Sequence, residues 1–114
     1  MGRIAVAIYR DAASFRRSEA PVRTLMLDRD GPITRAWVLG LPPGQYAIAA
    51  FQDVDGDGKL GTGSFRIPRE PFGFSRDARG RFGPPGFDAA AFALTYAGTT
   101  QRIVLRNPMN ALLR

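Results

Sequence analysis

The sequence contains no cysteine and no histidine, and its only lysine is Lys59. Without cysteine there are no disulfides, no iron–sulfur clusters and no thiolate zinc sites. The redox compartment is left open, since a cysteine-free chain folds in any of them. Without histidine, the commonest general base and the commonest ligand of zinc, copper and iron are missing. A Ser-His-Asp or Cys-His catalytic arrangement cannot be assembled. Any metal the chain holds is therefore an oxygen-liking one, calcium or magnesium. No run approaches the roughly 20 apolar residues of a membrane span. The short apolar stretch Ile4 to Ile8 has no cleavage signature after it.

What is present fits one domain. At 114 residues and 45% hydrophobic content, the chain is long enough for one core and too short for two. We expect a single domain over residues 1–106 followed by a tail at 107–114. The net charge of +6 is carried almost wholly by arginine. These arginines are scattered, with no run beyond Arg16-Arg17, and read as a solvated surface rather than a nucleic-acid footprint. The best exception is a patch of Arg66, Arg69, Arg76, Arg79 and Arg81, which would serve an anionic-polymer binder.

Period-two alternation dominates the first half. Ile4, Val6 and Ile8 share one face of a first strand. Arg23 to Leu27 is a second, ended by the turn-like Asp28-Arg29-Asp30-Gly31-Pro32. Ile33, Arg35, Trp37 and Leu39 alternate with Thr34, Ala36 and Val38 in a third, which places Trp37 in or near the core. Pro42-Pro43-Gly44 makes a tight turn that Tyr46 is expected to anchor. Gln45 to Gln52 is a fourth strand, with Tyr46, Ile48 and Ala50 on one face. Asp53 to Asp88 is then rich in glycine and proline, yet it carries Phe65, Phe72, Phe74, Phe82 and Phe87. Disordered linkers lack aromatics, so this reads as a long loop packed on the body. Ala89 to Tyr96, whose alanines would also suit a short helix, and Arg102 to Leu105 close the chain as strands. The pattern predicts an all-β, single-domain sandwich with a long Gly/Pro/Phe-rich loop.

One motif carries chemistry. Asp53, Asp55 and Asp57 place carboxylates at alternate positions, and Gly58 follows. Crowded carboxylates repel unless a cation lies between them, and the glycine permits the sharp turn that wraps oxygen donors around one point. This is the front half of a calcium loop, with Lys59 supplying a backbone carbonyl. The back half departs from the pattern, since Ser64 stands where a glutamate is usual. Glu70, further along, could fold back as the missing ligand. The preceding segment reads as a strand, so the loop is not an EF-hand. The competing reading is an acidic turn held by backbone amides; three carboxylates rather than one favour calcium.

Four separated stretches, Leu41-Pro42-Pro43-Gly44-Gln45-Tyr46-Ala47-Ile48, Asp53-Val54-Asp55-Gly56-Asp57-Gly58-Lys59-Leu60, Ile67-Pro68-Arg69-Glu70-Pro71-Phe72-Gly73-Phe74-Ser75 and Phe82-Gly83-Pro84-Pro85-Gly86-Phe87-Asp88, resemble the bacterial DUF2141 family in order and spacing. The resemblance spans Arg3 to Arg106. It implies a periplasmic or secreted β-sandwich of transthyretin-like or Cna-B-like type, and it implies no established activity. Family members usually have a signal peptide and one further strand before the position of Gly2. Their absence here implies an exposed sheet edge open to an edge-strand dimer. They often have an acidic residue where Gly61 stands, so this loop has one ligand fewer.

Together these readings point to a non-catalytic cell-envelope binding or structural module. A calcium ion would clip the long loop to the body, and a groove at Phe72 and Phe74 would meet a protein or glycan partner. The alternatives are a glycan hydrolase using Asp88 and Glu70 as paired carboxylates, and a binder of anionic polymers.

Overall fold

A computed structural model describes residues 3–53, 71–79 and 85–106. Its centre is an antiparallel sheet. β1 (Arg3–Tyr9) lies between β2 (Arg23–Leu27) and β3 (Gly44–Asp53). The β1–β2 register sets Ile4 against Leu27 and Ile8 against Arg23, and the β1–β3 register sets Arg3 against Asp53 and Tyr9 against Ala47. On the other edge of β3, β4 (Phe72–Phe74) pairs with its C-terminal half and β5 (Phe92–Leu94) with its N-terminal end. Among the described residues the architecture is mostly strand, open and antiparallel, with few helices, in keeping with an all-β fold.

The alternation that made β1 and β3 legible also assigns their faces. Ile8, Tyr46 and Ala50 are buried on one, and Tyr9, Ala47 and Phe74 on the other. The second face is covered by α1 (Ala12–Arg17) and α2 (Phe87–Ala90), which contribute Phe15 and Ala90 to one cluster with those residues. Phe15 is the centre of that cluster. Its ring meets Tyr9, Phe74 and Phe87 edge-on at 5.6, 5.8 and 6.0 Å between centroids. Burying one side chain of this size contributes about 1.5–3 kcal/mol.

Helix α1 was not apparent in the pattern because only one of its residues faces the core. Its ends explain why it forms. The Asp11 carboxylate accepts a hydrogen bond from the Ser14 amide at 2.8 Å, an N-cap. Ser18 then takes the left-handed conformation (φ 55°), and the Ser18 and Glu19 amides donate to the Phe15 and Ser14 carbonyls.

Several expectations are corrected. Ile33 to Leu39 is not a strand: it runs between β2 and β3 without a turn or bend and outside the sheet. Trp37 is not in the core but 87% exposed, with Leu39 at 77% and Ile33 at 56%. The pattern was strand-like, yet no described neighbour pairs with it. The end of the chain departs as well. Ala89 to Tyr96 splits into the end of α2 and the short β5. Arg102 to Leu105 forms no strand, and a single antiparallel bridge joins Phe72 to Arg106. Phe72 and Phe74 belong to β4 rather than to a loop. They still pack on the body, as does Phe87, whereas Phe65 and Phe82 lie outside the described residues, as does the expected tail 107–114. Tyr46 does anchor the turn before β3, its hydroxyl donating to the Pro42 carbonyl at 2.5 Å.

The bridge to Arg106 seats the chain directly over Gly73. A Cβ on Gly73 would collide with the Val104 carbonyl oxygen and lie 2.9 Å from its carbonyl carbon. Backbone cannot yield as a side-chain tip would, so Gly73→Ala is expected to lower stability by about 1–3 kcal/mol. Urea unfolding checks this; an unchanged midpoint would show that residues 103–106 do not lie against β4.

Candidate functional site

The described residues concentrate polar chemistry in one place, the turn that follows β4. Ser75 opens it and is fully buried. Its hydroxyl accepts the Ile48 amide at 2.9 Å and donates to the Ala90 carbonyl at 2.6 Å. Alternation along β3 turns the amides of Tyr46, Ile48 and Ala50 toward the β4–β5 edge, and Ile48 is the position between those two strands. The Ser75 hydroxyl thus stands in for a ladder bond where the edge is interrupted.

Arg76 and Asp77 follow, both left-handed, with φ of 60° and 52°. Neither is glycine, and each such residue costs about 1–2 kcal/mol. The two side chains leave in different directions. Arg76 Nη1 donates to the Ala91 carbonyl at 3.1 Å. The Asp77 carboxylate accepts from Arg106 Nη2 at 2.9 and 3.1 Å and from Arg79 Nη2 at 3.2 Å. Arg106 Nε is buried with no hydrogen-bond partner among the described residues. The Arg106 hydrogen bond, supported by the positive charges of Arg106 and Arg79, holds the Asp77 carboxyl below the usual carboxylate range.

On the Arg76 side the surface opens into a shallow cleft of about 480 Å³, lined by Gln45, Arg76, Asp88, Phe92 and Gln101 among others. Gln45 comes from the start of β3, Asp88 from the first turn of α2 and Phe92 from β5. Gln101 Nε2 donates to Thr99 Oγ1 at 2.9 Å. The wall offers guanidinium and amide donors, carboxylate and amide acceptors, and one charge of each sign. That set suits a small polar ligand with several hydroxyl or amide groups, and carries no net charge that would select an ion.

The residues singled out from the sequence fall unevenly. Asp53 ends β3 opposite Arg3; Asp55, Asp57, Lys59 and Glu70 lie outside the described residues. Among the described residues, no three acidic side chains gather as a metal site. Asp88 lines the cleft, whereas Glu70, its expected carboxylate partner, lies outside the described residues. The arginine patch divides: Arg76 faces the cleft, Arg79 binds Asp77, and Arg66, Arg69 and Arg81 are outside the described residues. The expected partner groove at Phe72 and Phe74 is core instead, with the two rings 5.8 Å apart and Phe74 buried. Gln45, Ser75 and Gln101 were missed. Gln45 and Gln101 lie far apart in sequence and carry no pattern, whereas Ser75, ending Phe72-Gly73-Phe74-Ser75, stood in a recognisable motif. Among the described residues no helix is long and apolar enough to cross a membrane.

A family model described as an uncharacterised protein conserved in bacteria (DUF2141) matches residues 1–102. No curated protein and no solved structure matches the chain.

Two outcomes follow from this geometry. Ser75→Ala removes no apolar contact but strands the Ile48 N–H and the Ala90 carbonyl, each at about 1–3 kcal/mol; a fall in the urea midpoint, with faster amide exchange at Ile48, is the expected result. Asp77 has a folded pKa below its unfolded one, so its contribution is present above the unfolded value and is lost as pH falls through the folded value. Asp77→Asn should therefore destabilise at neutral pH and match the parent once pH drops below the carboxylate range, as read from paired thermal melts.

Proposed function

We propose, from the premise that the chain belongs to the DUF2141 family of bacterial proteins, that it is a non-catalytic binding module of the cell envelope, periplasmic or secreted, that holds a glycan in the cleft beside Arg76. The observation that carries this reading is the cleft wall itself. Gln45, Arg76, Asp88 and Gln101 surround one opening with donors and acceptors. Two consecutive residues in unfavourable backbone conformations hold Arg76 there. Strain of this kind persists where the surroundings enforce it, and it clusters at ligand sites.

The scaffold is read as a sandwich of transthyretin-like or Cna-B-like type. The two-faced burial of β1 and β3 supports that reading. Asp53, Asp55 and Asp57, with the Lys59 carbonyl and Glu70, are proposed to hold calcium. The support is the spacing of carboxylates and glycine in the sequence. The ion's part in this account is to fasten the segment after β3, and the cleft does not depend on it.

A glycan array of neutral and acidic bacterial oligosaccharides, followed by titration calorimetry on the hits, tests the cleft. Arg76→Ala and Asp88→Asn should each weaken binding by at least roughly tenfold, the size of a lost hydrogen bond to a charged group. No hit on the array, or hits indifferent to both substitutions, would remove the glycan. The calcium reading has its own check: the melting temperature should rise with added calcium and fall in excess EDTA. Equal melts, with no calcium by elemental analysis, would dismiss the ion and leave the cleft untouched.

A further inference from the structure

The segment Ile33–Leu39 has the sequence of a strand and, among the described residues, no strand to pair with. None of its backbone groups bonds to another backbone group there. Ile33, Arg35, Trp37 and Leu39 are all exposed, while Thr34 and Val38 are half-buried. Arg23 Nη1 of the neighbouring β2 donates to the Leu39 carbonyl at 2.9 Å. In an extended chain peptide groups alternate sides. The Leu39 carbonyl is turned toward Arg23, so the peptide groups of Thr34, Ala36 and Val38 lie on the opposite side of the segment. An edge of this kind is a template for another strand.

We propose that its partner is the same segment of a second copy of this chain, paired antiparallel about Ala36. The assignment comes from the pairs this register creates. Ile33 meets Leu39 of the other copy, and Arg35 meets Trp37. Thr34 meets Val38, and Ala36 meets itself. Every even residue exchanges both peptide hydrogen bonds with its opposite number. The odd pairs fall in the narrow, non-hydrogen-bonded positions, where side chains lie closest. Each guanidinium is then set against an indole, the best aromatic acceptor of a cation, and the two arginines sit diagonally. Shifting the centre to Arg35 would oppose like charges. Shifting it to Trp37 would put each guanidinium against a leucine. The interface is isologous and closes at two copies, and it lies on a different part of the surface from the Arg76 cleft.

Because the chain has no cysteine, one introduced thiol reads the register directly. Ala36→Cys faces itself across the two-fold, at a separation that suits a disulfide, whereas Ile33→Cys faces Leu39 and has no thiol to meet. Sedimentation velocity over a concentration series should show monomer and dimer, and mild oxidation should cross-link Ala36→Cys much faster than Ile33→Cys. Arg35→Ala should raise the dimer dissociation constant roughly 5- to 30-fold, two cation–π contacts being lost. The exchange Arg35→Trp with Trp37→Arg should restore it. A monomer at every concentration, or equal cross-linking of the two cysteine variants, overturns the proposal. So does a dimer that survives Ala36→Pro, which removes the central N–H.

Discussion

One hydroxyl group holds the interrupted edge of the sheet together. β3 gives one side to β1 along most of its length and must divide the other between β4 and β5. Between those short strands the Ile48 amide has no ladder partner, and an amide withdrawn from water without a partner is costly. Ser75 meets it, and the same hydroxyl passes a hydrogen bond to the Ala90 carbonyl at the end of α2. β3, β4 and α2 are thereby fixed to one point, and the turn that carries Arg76 and Asp77 starts from it. The cleft inherits its geometry from this contact: Gln45 comes from the strand below, Arg76 from the turn and Asp88 from the helix.

The opposite charges near this turn have separate duties. Asp77 is saturated by Arg79 and Arg106 and ties the segment after β5 back to β4. Such exposed ion pairs contribute little energy singly, so their role here is positional. Arg76, one residue earlier, is spared from that pairing by the left-handed step between them and is directed to Ala91 instead. A positive net charge spread over the whole chain thus resolves into local assignments, and no broad basic face is needed to account for Arg76, Arg79 and Arg106.

Legibility from sequence follows how local each cause is. β1, β2 and β3 were readable because their alternation and flanking turns lie within a few residues. That Phe72, Phe74 and Phe87 pack on the body was readable from aromatic content, although the groove expected at Phe72 and Phe74 proved to be core and β4 was not readable, since three residues around a glycine carry no period. The Ile33–Leu39 pattern was strand-like, and the structure keeps it without a turn or bend. What failed was the assumption, which assigned Trp37 to the core, that such a pattern pairs with a neighbouring strand; among the described residues it has none. Short helices α1 and α2 show one buried face residue each and so no period to detect. The cleft was out of reach, because Gln45, Arg76, Asp88 and Gln101 are joined only by the fold. The calcium loop stood out in sequence more than any other feature, and apart from Asp53 it lies outside the described residues.

The order of strands also constrains how the sheet is assembled. β1 pairs with β2 across α1 alone, whereas its other edge waits for β3, with Tyr9 against Ala47 and Arg3 against Asp53. Loops that close over such separations dominate the time a chain needs to fold. A chain emerging in sequence order therefore completes the β1–β2 ribbon first and holds the free edge of β1 open, with Ile4, Val6 and Ile8 beside it, until β3 arrives. That ribbon is the template on which the rest of the sheet is laid.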